Sequence, residues 1–455
     1  MTNRDTAEAR ALEMLDDLLG RALKGGADAA DAVMVESRSH GASYRQGKPE
    51  DIESSESFDI GLRCLVGKQQ AVVSSTDLKA DMMDELVARA IAMAKASPED
   101  KWCGIADADQ IADSVPDLDL YDPTVPDIES LIESARVAEE AALEVKGVKQ
   151  SEGASSGYGA GSVALVIRGD GVRFGAAYST SSFSLSCSVI AEDAAGHMER
   201  DYEYSSVRHI SELGDAAGIG RTAAEKAVKR VGARKMPSGK VPVVFDPRVA
   251  ASLVGHLAGA INGSSVARGS SFLKDRMGEQ IFADGIRIVD DPLRPRGMRS
   301  RGVDGEGIAG KELALIEDGH LQSWIMDCAS ARQLGLTSTG HASRGTGGPP
   351  SPGTSNLYLC AGSVSVADMI RDVGTGFYVT ELIGFGINGV TGDYSRGAAG
   401  FWIENGEIAF PVSEMTIAGN LKDMFMQLTP ADDLTFRYAT NAPTLRVDGM
   451  TVAGN

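Results

Sequence analysis

A single histidine on a predicted helix is the first residue whose type and position suggest chemistry. The helix is predicted over 248–261, within RVAASLVGHLAGAINGSSVARGSSFL, and His256 falls on its apolar face beside Leu253. A zinc peptidase helix needs two histidines about one turn apart and a glutamate that activates water. Ala251 and Ser252 precede the histidine and cannot supply those groups. A buried, hydrogen-bonded histidine is therefore the simpler interpretation.

Other metal ligands are scarce along the chain. The remaining histidines are His40, His197, His209, His320 and His341. The cysteines are Cys64, Cys103, Cys187, Cys328 and Cys360. Neither set has ligand spacing, so no metal site is predicted in this chain, although ligands distant in sequence can still meet in space. Scattered cysteines without a CxxC pair indicate free thiols in a reducing compartment.

Two glycine-rich segments follow one another late in the chain. GFGING, at 384–389, matches G-x-G-x-x-G, but nucleotide binding requires a helix directly after it, and VTGDYSRGAAG is not helical. We interpret these glycines as bends in strands that another segment approaches closely. GDYSRGAAGFW is predicted to form a tight loop with an ion pair between Asp393 and Arg396, or alternatively a loop that contacts peptide. Ser395 lacks a recognisable base, so it is a weak nucleophile candidate.

Two further groups could take part in chemistry. Ser264-Ser265 and Ser270-Ser271 flank Arg268 and are typical of turns, while the arginine could hold a carboxylate or pair with a neighbouring acid. Cys328 begins a predicted short helix, whose dipole could lower the pKa of the thiol. His320 is its nearest histidine in sequence, across a hairpin. A metal-independent peptidase using Cys328 or Ser395 stays open as an alternative.

The elements that must position these residues are a mixture of helices and hairpins. Helices are predicted at 6–24, 78–96, 127–145, 215–230, 248–261 and 420–427. Strands are predicted within 30–76, 162–193 and 240–247, with hairpin turns at Asp170-Gly171, Asp318-Gly319 and Asn405-Gly406. TLRVDGMTVAG is a further candidate hairpin. The stretch 97–126 is rich in Asp and Pro and predicts an irregular connection.

The pattern predicts an α+β fold in which sheets carry segregated helices. The length of 455 residues suggests two or three domains, and the 53 glycines suit a sheet-rich protein with many tight turns. We place them at 1–115, an N-terminal α/β region with antiparallel sheets plus helices, and at 116–235, a central β-meander with a helix. The third, 236–455, is predicted to be a large, mostly antiparallel, β-rich C-terminal domain that carries the His256 helix.

The charge of the chain excludes several functions. A net charge of −20 repels phosphate backbones and anionic membranes, so direct nucleic-acid or membrane binding is not expected.

The first 26 residues lack the apolar core of a signal peptide, and no apolar run approaches the roughly 18 residues of a membrane span. A cytoplasmic protein is predicted.

Long blocks of the second half resemble one family. GHLAGAINGSSVARGSSFLKDRMGEQI, QLGLTSTGH, VTELIGFGINGVTGDYSRGAAGFWIENGEI and PVSEMTIAGNLKDM are similar to the PmbA (TldE) branch of the TldD/PmbA family, historically called modulator of DNA gyrase. The resemblance implies a cytoplasmic heterodimer that cleaves unfolded or flexible peptides in an enclosed cavity. TldD-type subunits carry zinc on a helical HExxxH motif and a C-terminal cysteine.

Laid on this chain, the motif implies a degenerate site. Its first histidine falls on Ala251, its glutamate on Ser252, its second histidine on His256 and its cysteine near Ala442. The resemblance thus implies no zinc here, zinc in a TldD-type partner, and a peptide-holding wall in this chain. We expect the wall to include His256, Asn262, Ser264, Arg268, Gly386, Asp393, Ser395 and Arg396. A peptide-binding or chaperone-like homodimer without hydrolytic activity is the other alternative.

Overall fold

The computed structural model of this chain describes residues 3–77 and 79–454, and its architecture is the predicted α+β fold. Antiparallel sheets carry helices along both halves. The helices are α1 (Asn3–Lys24), α2 (Ala80–Ala96), α3 (Ile128–Leu143), α4 (Ala216–Arg230), α5 (Pro247–Ala260), α6 (Gly263–Ala267), α7 (Cys328–Leu334), α8 (Val366–Val373) and α9 (Leu421–Met426), with a 3-10 turn at Ile210–Glu212. Leu78, where the second helix was predicted to begin, lies outside the described residues.

The first half forms one antiparallel sheet of six strands in the order β3-β2-β1-β4-β5-β6. Its strands are β1 (Ala29–Arg45), β2 (Lys48–Val66), β3 (Gln69–Ser75), β4 (Val148–Gly169), β5 (Val172–Glu192) and β6 (Met198–Val207). The predicted turn at Asp170-Gly171 is confirmed, with φ of 50° and 79°. Because β1 pairs with β4, the sheet crosses the boundary that we placed at 115, and the division into domains stays a prediction.

These strands are longer than the sequence indicated. β1 and β2 stay paired from Ala29↔Leu65 out to Arg45↔Lys48, through a polar stretch whose β2 half is almost entirely exposed. Such a stretch has no alternation of apolar residues, so hydrophobic periodicity cannot reveal it. Cross-strand hydrogen bonding along an already aligned pair extends the hairpin instead.

Helices cover this sheet in two pairs. α1 and α2 pack on the apolar part of β1 and β2 through a core that includes Leu15, Leu19 and Ile60. α3 and α4 pack side by side through alanines, and a Cβ at Gly220 would lie 1.9 Å from the Ala138 carbonyl oxygen. Only glycine permits that separation between two helix backbones. None of the described helices is long and apolar enough to cross a membrane.

The second half is β-rich and mostly antiparallel. A six-stranded sheet has the order β16-β15-β14-β7-β19-β17, a five-stranded sheet has the order β10-β9-β8-β13-β18, and β11 pairs with β12. The strands are β7 (Gly239–Phe245), β8 (Ile288–Asp290), β9 (Leu313–Glu317), β10 (His320–Leu321), β11 (Ala342–Ser343), β12 (Ser351–Pro352), β13 (Leu357–Leu359), β14 (Gly376–Ile383), β15 (Asp393–Glu404), β16 (Glu407–Asn420), β17 (Leu428–Pro430), β18 (Thr440–Asn441) and β19 (Leu445–Ala453).

Helix α5 lies against strands of both large sheets and is central to this half. It contacts β7 and β14 of one sheet and β13 and β18 of the other. Its buried side chains belong to the largest hydrophobic core of the described chain, with Phe245, Phe377 and Trp402. The sheets therefore fix the position and rotation of the helix that carries His256.

The turn predictions for this half are confirmed in two cases and wrong in one. Asp318-Gly319 and Asn405-Gly406 are tight hairpin turns with positive φ at both positions. TLRVDGMTVAG is instead the single strand β19, in which a register shift between Val447 and Met450 absorbs Asp448-Gly449. A bulge explains the turn-like residues, because a strand paired on both sides cannot fold back on itself.

Candidate functional site

Helix α5 begins with a cap that the sequence predicted. The Asp246 side chain accepts a hydrogen bond from the Arg248 backbone N–H at 3.0 Å, and Pro247 occupies the first turn. The Asp246 carboxylate also accepts a hydrogen bond from the Tyr378 hydroxyl on β14, at 2.9 Å. These contacts join the helix to the neighbouring strand and fix the direction in which His256 points.

His256 is half-buried, and its imidazole lies beside a buried tyrosine. The rings of His256 and Tyr394 are 5.9 Å apart between centroids, at 65°. Burial, and secondly the positive charge of Arg396, lower the pKa of His256 to about 4. The imidazole is therefore neutral at neutral pH. The predicted hydrogen-bonded histidine is wrong in one respect, because its buried Nε2 has no partner among the described residues.

Three unpaired polar atoms lie together at this place. Besides His256 Nε2, the Tyr394 Oη and the Arg396 Nε are buried without a hydrogen-bond partner in the described chain. Tyr394 and Arg396 are two residues apart on β15 and therefore share one face of the strand, which faces α5. We call these three residues the His256 cluster. Unpaired buried groups are costly, which makes them ready to bind a polar ligand.

The cluster borders an exposed aromatic side chain. Phe385 is 98% exposed, and the Arg396 guanidinium lies 5.9 Å from its ring centroid. Ile383 and Val390, in the same segment, are each 60% exposed. An apolar, solvent-facing rim thus adjoins buried polar groups, which is the composition of many ligand-binding surfaces.

The segment GDYSRGAAGFW is a strand and not the tight loop that we predicted. It forms β15, between β14 and β16. The expected pair of Asp393 with Arg396 is absent from the contacts of the described residues, because the two side chains alternate to opposite faces. Asp393 accepts hydrogen bonds from Thr391 Oγ1 at 2.6 Å and Asn420 Nδ2 at 3.0 Å instead. Ser395 is exposed on the same face as Asp393, away from His256.

The glycines of GFGING form bends against that strand, as predicted. Ser395 donates its backbone N–H to the Gly386 carbonyl at 2.7 Å. A Cβ at Gly386 would lie 1.8 Å from the Ser395 carbonyl oxygen, so only glycine fits. The approaching chain is this protein's own strand, and the next element is β15 and not a helix. The geometry of a nucleotide loop is missing.

Asn262, Ser264 and Arg268 lie around α6, directly after α5. The Asn262 side chain caps α6 by accepting from the backbone N–H of Ser264 at 3.1 Å, and it donates to the Pro352 carbonyl at 3.0 Å. Ser264 is part of the helical turn, whereas Arg268 is exposed at its end. The amide of Asn262 is thus engaged in structure, and its contact with a substrate stays a prediction.

The four positions of the zinc motif hold one potential zinc ligand. Ala251 and Ala442 carry methyl groups, and the Ser252 hydroxyl donates to the Val249 carbonyl at 2.6 Å. Within residues 3–77 and 79–454, no three His, Cys, Asp or Glu side chains come close enough to hold a metal ion. Of the four positions, only His256 has an atom that ligates zinc well.

Cys328 begins α7 as predicted, but the expectation of a lowered pKa is wrong. Burial, and secondly the carboxylate of Glu306, raise the pKa of the Cys328 thiol. Glu306 itself is buried, accepts the Cys328 backbone N–H at 2.8 Å and has a pKa raised to about 8, chiefly by burial. Desolvation outweighs the dipole of a helix of this length. A neutral, buried thiol is a poor nucleophile.

Sequence reasoning missed the buried contacts between the two halves. Asp31 on β1 accepts from Arg63 on β2 at 2.5 Å, and the Arg344 guanidinium lies 3.1 Å from its other oxygen. Arg248 at the start of α5 binds Asp201 on β6 at 2.7 Å. Both acids are preceded and followed by ordinary strand residues, so nothing in the local pattern marks them. The network of Asp31, Arg63 and Arg344 is called the Asp31 network below.

A large cavity lies away from His256. It has a volume of about 760 Å³ and is lined by β6, the start of α4 and the loops at 294–298 and 436–438. Its walls therefore come from both halves of the chain. No residue that we predicted for a site lines it.

Comparison with known proteins gives a consistent result. Models of the PmbA/TldA metallopeptidase match residues 30–94 (domain 1), 121–231 (central domain) and 238–454 (C-terminal domain). The chain is 38% identical to the metalloprotease PmbA of Escherichia coli O157:H7, over 97% of this chain and 96% of that protein. It is 36% identical to the PmbA homolog of Haemophilus influenzae, over 95% and 94%.

Solved structures share the whole fold. A Bacteroides thetaiotaomicron protein described as a modulator of DNA gyrase superposes with a TM-score of 0.88, at 25% identity over 100% of both chains. TldE from Thermococcus kodakarensis superposes with a TM-score of 0.83, at 20% identity over 97% of this chain and 100% of that one.

Proposed function

Because this chain belongs to the PmbA/TldD metallopeptidase family, we propose that it is the peptide-holding subunit of a heterodimeric zinc peptidase. A TldD-type partner subunit supplies the zinc and the residues that bind and activate water. The substrate is an unfolded or flexible peptide, and the site is enclosed by both subunits in the cytoplasm. This chain contributes a wall of that site and no metal ligand set.

The observation that carries this proposal is that the zinc-motif positions lack the side chains needed to bind zinc. A catalytic zinc needs three protein ligands, usually histidine, cysteine or carboxylate. Ala251 and Ala442 offer none, and Ser252 already donates its hydroxyl to the helix backbone. The residues present therefore do not fit a zinc ion, although the family resemblance aligns this helix with the zinc-binding helix of TldD-type subunits. We derive no catalytic step through a metal in this chain.

The His256 cluster supports the peptide-holding role. A peptide backbone has both donors and acceptors. The Tyr394 hydroxyl can donate or accept, His256 Nε2 does one or the other according to its tautomer, and Arg396 Nε can only donate. Contacts to the backbone are independent of sequence, which suits unfolded substrates in general. Phe385 and the exposed apolar residues beside it add contact area that does not select one side chain. Asp393 and Ser395, on the other face of β15, belong to a different surface.

Some similar proteins are described as modulators of DNA gyrase, and the acidic charge of this chain argues against direct contact with DNA. A protein of net charge −20 gains nothing from contact with a phosphate backbone. We propose that any influence of this chain on DNA topology is indirect and follows from proteolysis of another protein.

The test is hydrolysis of an unfolded peptide by three samples: this chain, a TldD-type subunit, and their mixture, each with and without a zinc chelator. We expect hydrolysis by the mixture alone and its loss with the chelator. An Arg396→Gln chain in the mixture should raise KM more than it lowers kcat, with Arg173→Gln as the exposed control. Chelator-resistant hydrolysis by this chain alone would contradict the proposal and redirect attention to Cys328 and Ser395.

A further inference from the structure

The large cavity between the two halves has the volume of a ligand site and a lining rich in charged and polar side chains. Its volume of about 760 Å³ falls within the range of roughly 300–1,000 Å³ that small-molecule pockets occupy. Three aromatic side chains line it, Tyr204, Phe436 and Tyr438, and the two tyrosine rings lie 5.3 Å apart. The Arg294 guanidinium stacks 3.4 Å from the centroid of the Phe436 ring.

The carboxylates at this cavity are already neutralised. The pairs are Glu203 with Lys226 at 2.5 Å, Glu212 with Arg296 at 2.7 Å, and Asp215 with Arg221 at 3.2 Å. Each lining acid therefore has a cation from the same chain. Because these acids are already paired, they do not neutralise the other cationic side chains that line the cavity.

Three lining arginines lack such a partner. Arg294, Arg437 and Arg208 have no carboxylate within ion-pair distance among the described residues, and Arg208 donates only to backbone carbonyls. Uncompensated positive charge stands out in a protein whose net charge is −20. A guanidinium held flat on an aromatic ring keeps its edge free for a carboxylate, which it can bind through two parallel hydrogen bonds.

A free sheet edge faces the same cavity. β6 is the last strand of its sheet, and residues 203–208 line the cavity. The Tyr202 carbonyl accepts from Arg248 at 3.5 Å, and the backbone N–H of Tyr204 bonds to the Glu203 side chain at 3.1 Å. These even-numbered residues thus point their backbone groups away from β5. By the alternation of an antiparallel pair, Ser206 presents its N–H and C=O to the cavity.

We propose that this cavity binds an extended, carboxylate-bearing peptide segment, which adds to the edge of β6 at Ser206 and pairs its carboxylate with Arg294 and Arg437. Strand addition supplies backbone hydrogen bonds, and the arginines select for acidic side chains or a free C-terminus. The choice of a peptide as ligand rests on the proposed function. The unpaired arginines and the free edge of β6 are features of the structure that do not depend on that function. The site lies apart from the His256 cluster and would hold a substrate segment remote from the scissile bond.

The test is calorimetric titration of the full chain with synthetic decapeptides built from glycine, serine and three glutamates. A second peptide replaces glutamate by glutamine, and each has either a free or an amidated C-terminus. These four peptides distinguish side-chain from C-terminal carboxylates. A fifth peptide, with alternate backbone amides N-methylated, keeps the charge but cannot pair with β6.

We expect the glutamate peptide to bind roughly tenfold more tightly than the amidated glutamine peptide, the effect of a charge-assisted hydrogen bond. The Arg294→Gln/Arg437→Gln variant should remove that difference, while Arg173→Gln, an exposed control, keeps it. N-methylation should abolish binding. Equal affinity of the variant and the parent chain, or of the N-methylated and parent peptides, would overturn the inference.

These results separate the inference from the proposed function. Binding with the expected pattern but without hydrolysis in the presence of a TldD-type subunit would leave the cavity assignment intact and refute the peptidase role. Hydrolysis in the mixture, together with unchanged peptide affinity in the double arginine variant, would support the peptidase role and refute the cavity assignment.

Discussion

The Asp31 network and the His256 cluster both contain buried polar groups, but they differ in how completely those groups are paired. At Asp31, both carboxylate oxygens bind guanidinium groups, from Arg63 at 2.5 Å and Arg344 at 3.1 Å. At His256, the imidazole, a tyrosine hydroxyl and an arginine Nε lie together, each with a buried atom that has no partner in the described chain. Asp31 and Arg63 are buried, whereas His256 and Arg396 are half-buried around the buried Tyr394. Both places bring together residues that are far apart in sequence.

The difference indicates what each place does. At Asp31 both carboxylate oxygens accept hydrogen bonds, from the Nε atoms of Arg63 and Arg344, although Arg344 Nη2 has no hydrogen-bond partner among the described residues. This buried charge network joins the first sheet to a loop of the second half. Unpaired buried atoms contribute nothing to stability and are costly to maintain. In the proposed function, a bound peptide supplies the partners that the three atoms of the His256 cluster lack. We therefore expect substitutions in the Asp31 network to affect folding and those in the His256 cluster to affect binding.

The largest expected effect is on the Asp31 network. Arg63→Ala leaves the Asp31 carboxylate with one of its two cations and opens a cavity, so the free energy of unfolding should fall by about 3–5 kcal/mol. Arg63 is nearly inaccessible, with a side chain 5% exposed. The measurement is denaturant-induced unfolding followed by circular dichroism.

Its matched control is Arg173→Ala, because Arg173 pairs with Asp16 on the surface at 3.0 Å. Exposed pairs contribute at most about 1 kcal/mol. Equal losses in the two variants would show that burial does not distinguish the two ion pairs.

A smaller effect separates two tyrosines near α5. Tyr378 donates its hydroxyl to Asp246 at 2.9 Å, whereas the Tyr394 hydroxyl is buried without a partner. Tyr378→Phe should lower the free energy of unfolding by about 1–2 kcal/mol, and Tyr394→Phe should leave it unchanged or raise it slightly. Thermal unfolding of the two variants measures the difference. Tyr394→Phe should weaken peptide binding more than Tyr378→Phe does. A large loss of stability in Tyr394→Phe would contradict the description of the His256 cluster.

The smallest effect concerns protonation of His256. Its pKa of about 4 lies below the usual value, so the folded protein binds this proton less tightly than the unfolded chain. The corresponding part of the stability is present above about pH 6.5 and is lost as the pH falls through about 4. Arg396→Gln removes a repelling charge and should raise the pKa of His256, which stays below 6.5 because burial is the larger cause.

Titration of the His256 ring protons by NMR measures this shift. The control is Arg268→Gln, which removes an exposed arginine at the end of α6 and should leave the His256 titration unchanged. A shift of equal size in both variants would mean that the positive charge near His256 is diffuse and does not come from Arg396.

Local elements of this fold followed from the sequence. The helix at α5 was predictable because Asp246-Pro247 supplies a cap and a rigid first turn, and apolar residues then recur at helical spacing. The hairpins at Asp170-Gly171, Asp318-Gly319 and Asn405-Gly406 followed from the positive φ that these dipeptides accept. Each of these features depends on a few neighbouring residues.

The candidate site was predictable only in part, because its members meet across the sheet. Helical periodicity placed His256 on the apolar face of α5, and the resemblance named Arg396. Neither indicated Tyr394 as a neighbour or separated Arg396 from Asp393 and Ser395. That separation needs the knowledge that β15 is a strand, which its glycines concealed.

The sequence by itself determined the capped helices, the tight turns, the acidic surface charge and the absence of ligands at positions 251 and 252, because each is a property of residue type or of short-range geometry. Only the tertiary structure decided the length of the polar hairpin β1–β2, the Asp31 network, the raised pKa of Cys328 and the cavity beside β6. These depend on pairing and burial between segments far apart in the chain, and burial changes the cost of a charge or an unpaired donor more than any local sequence does.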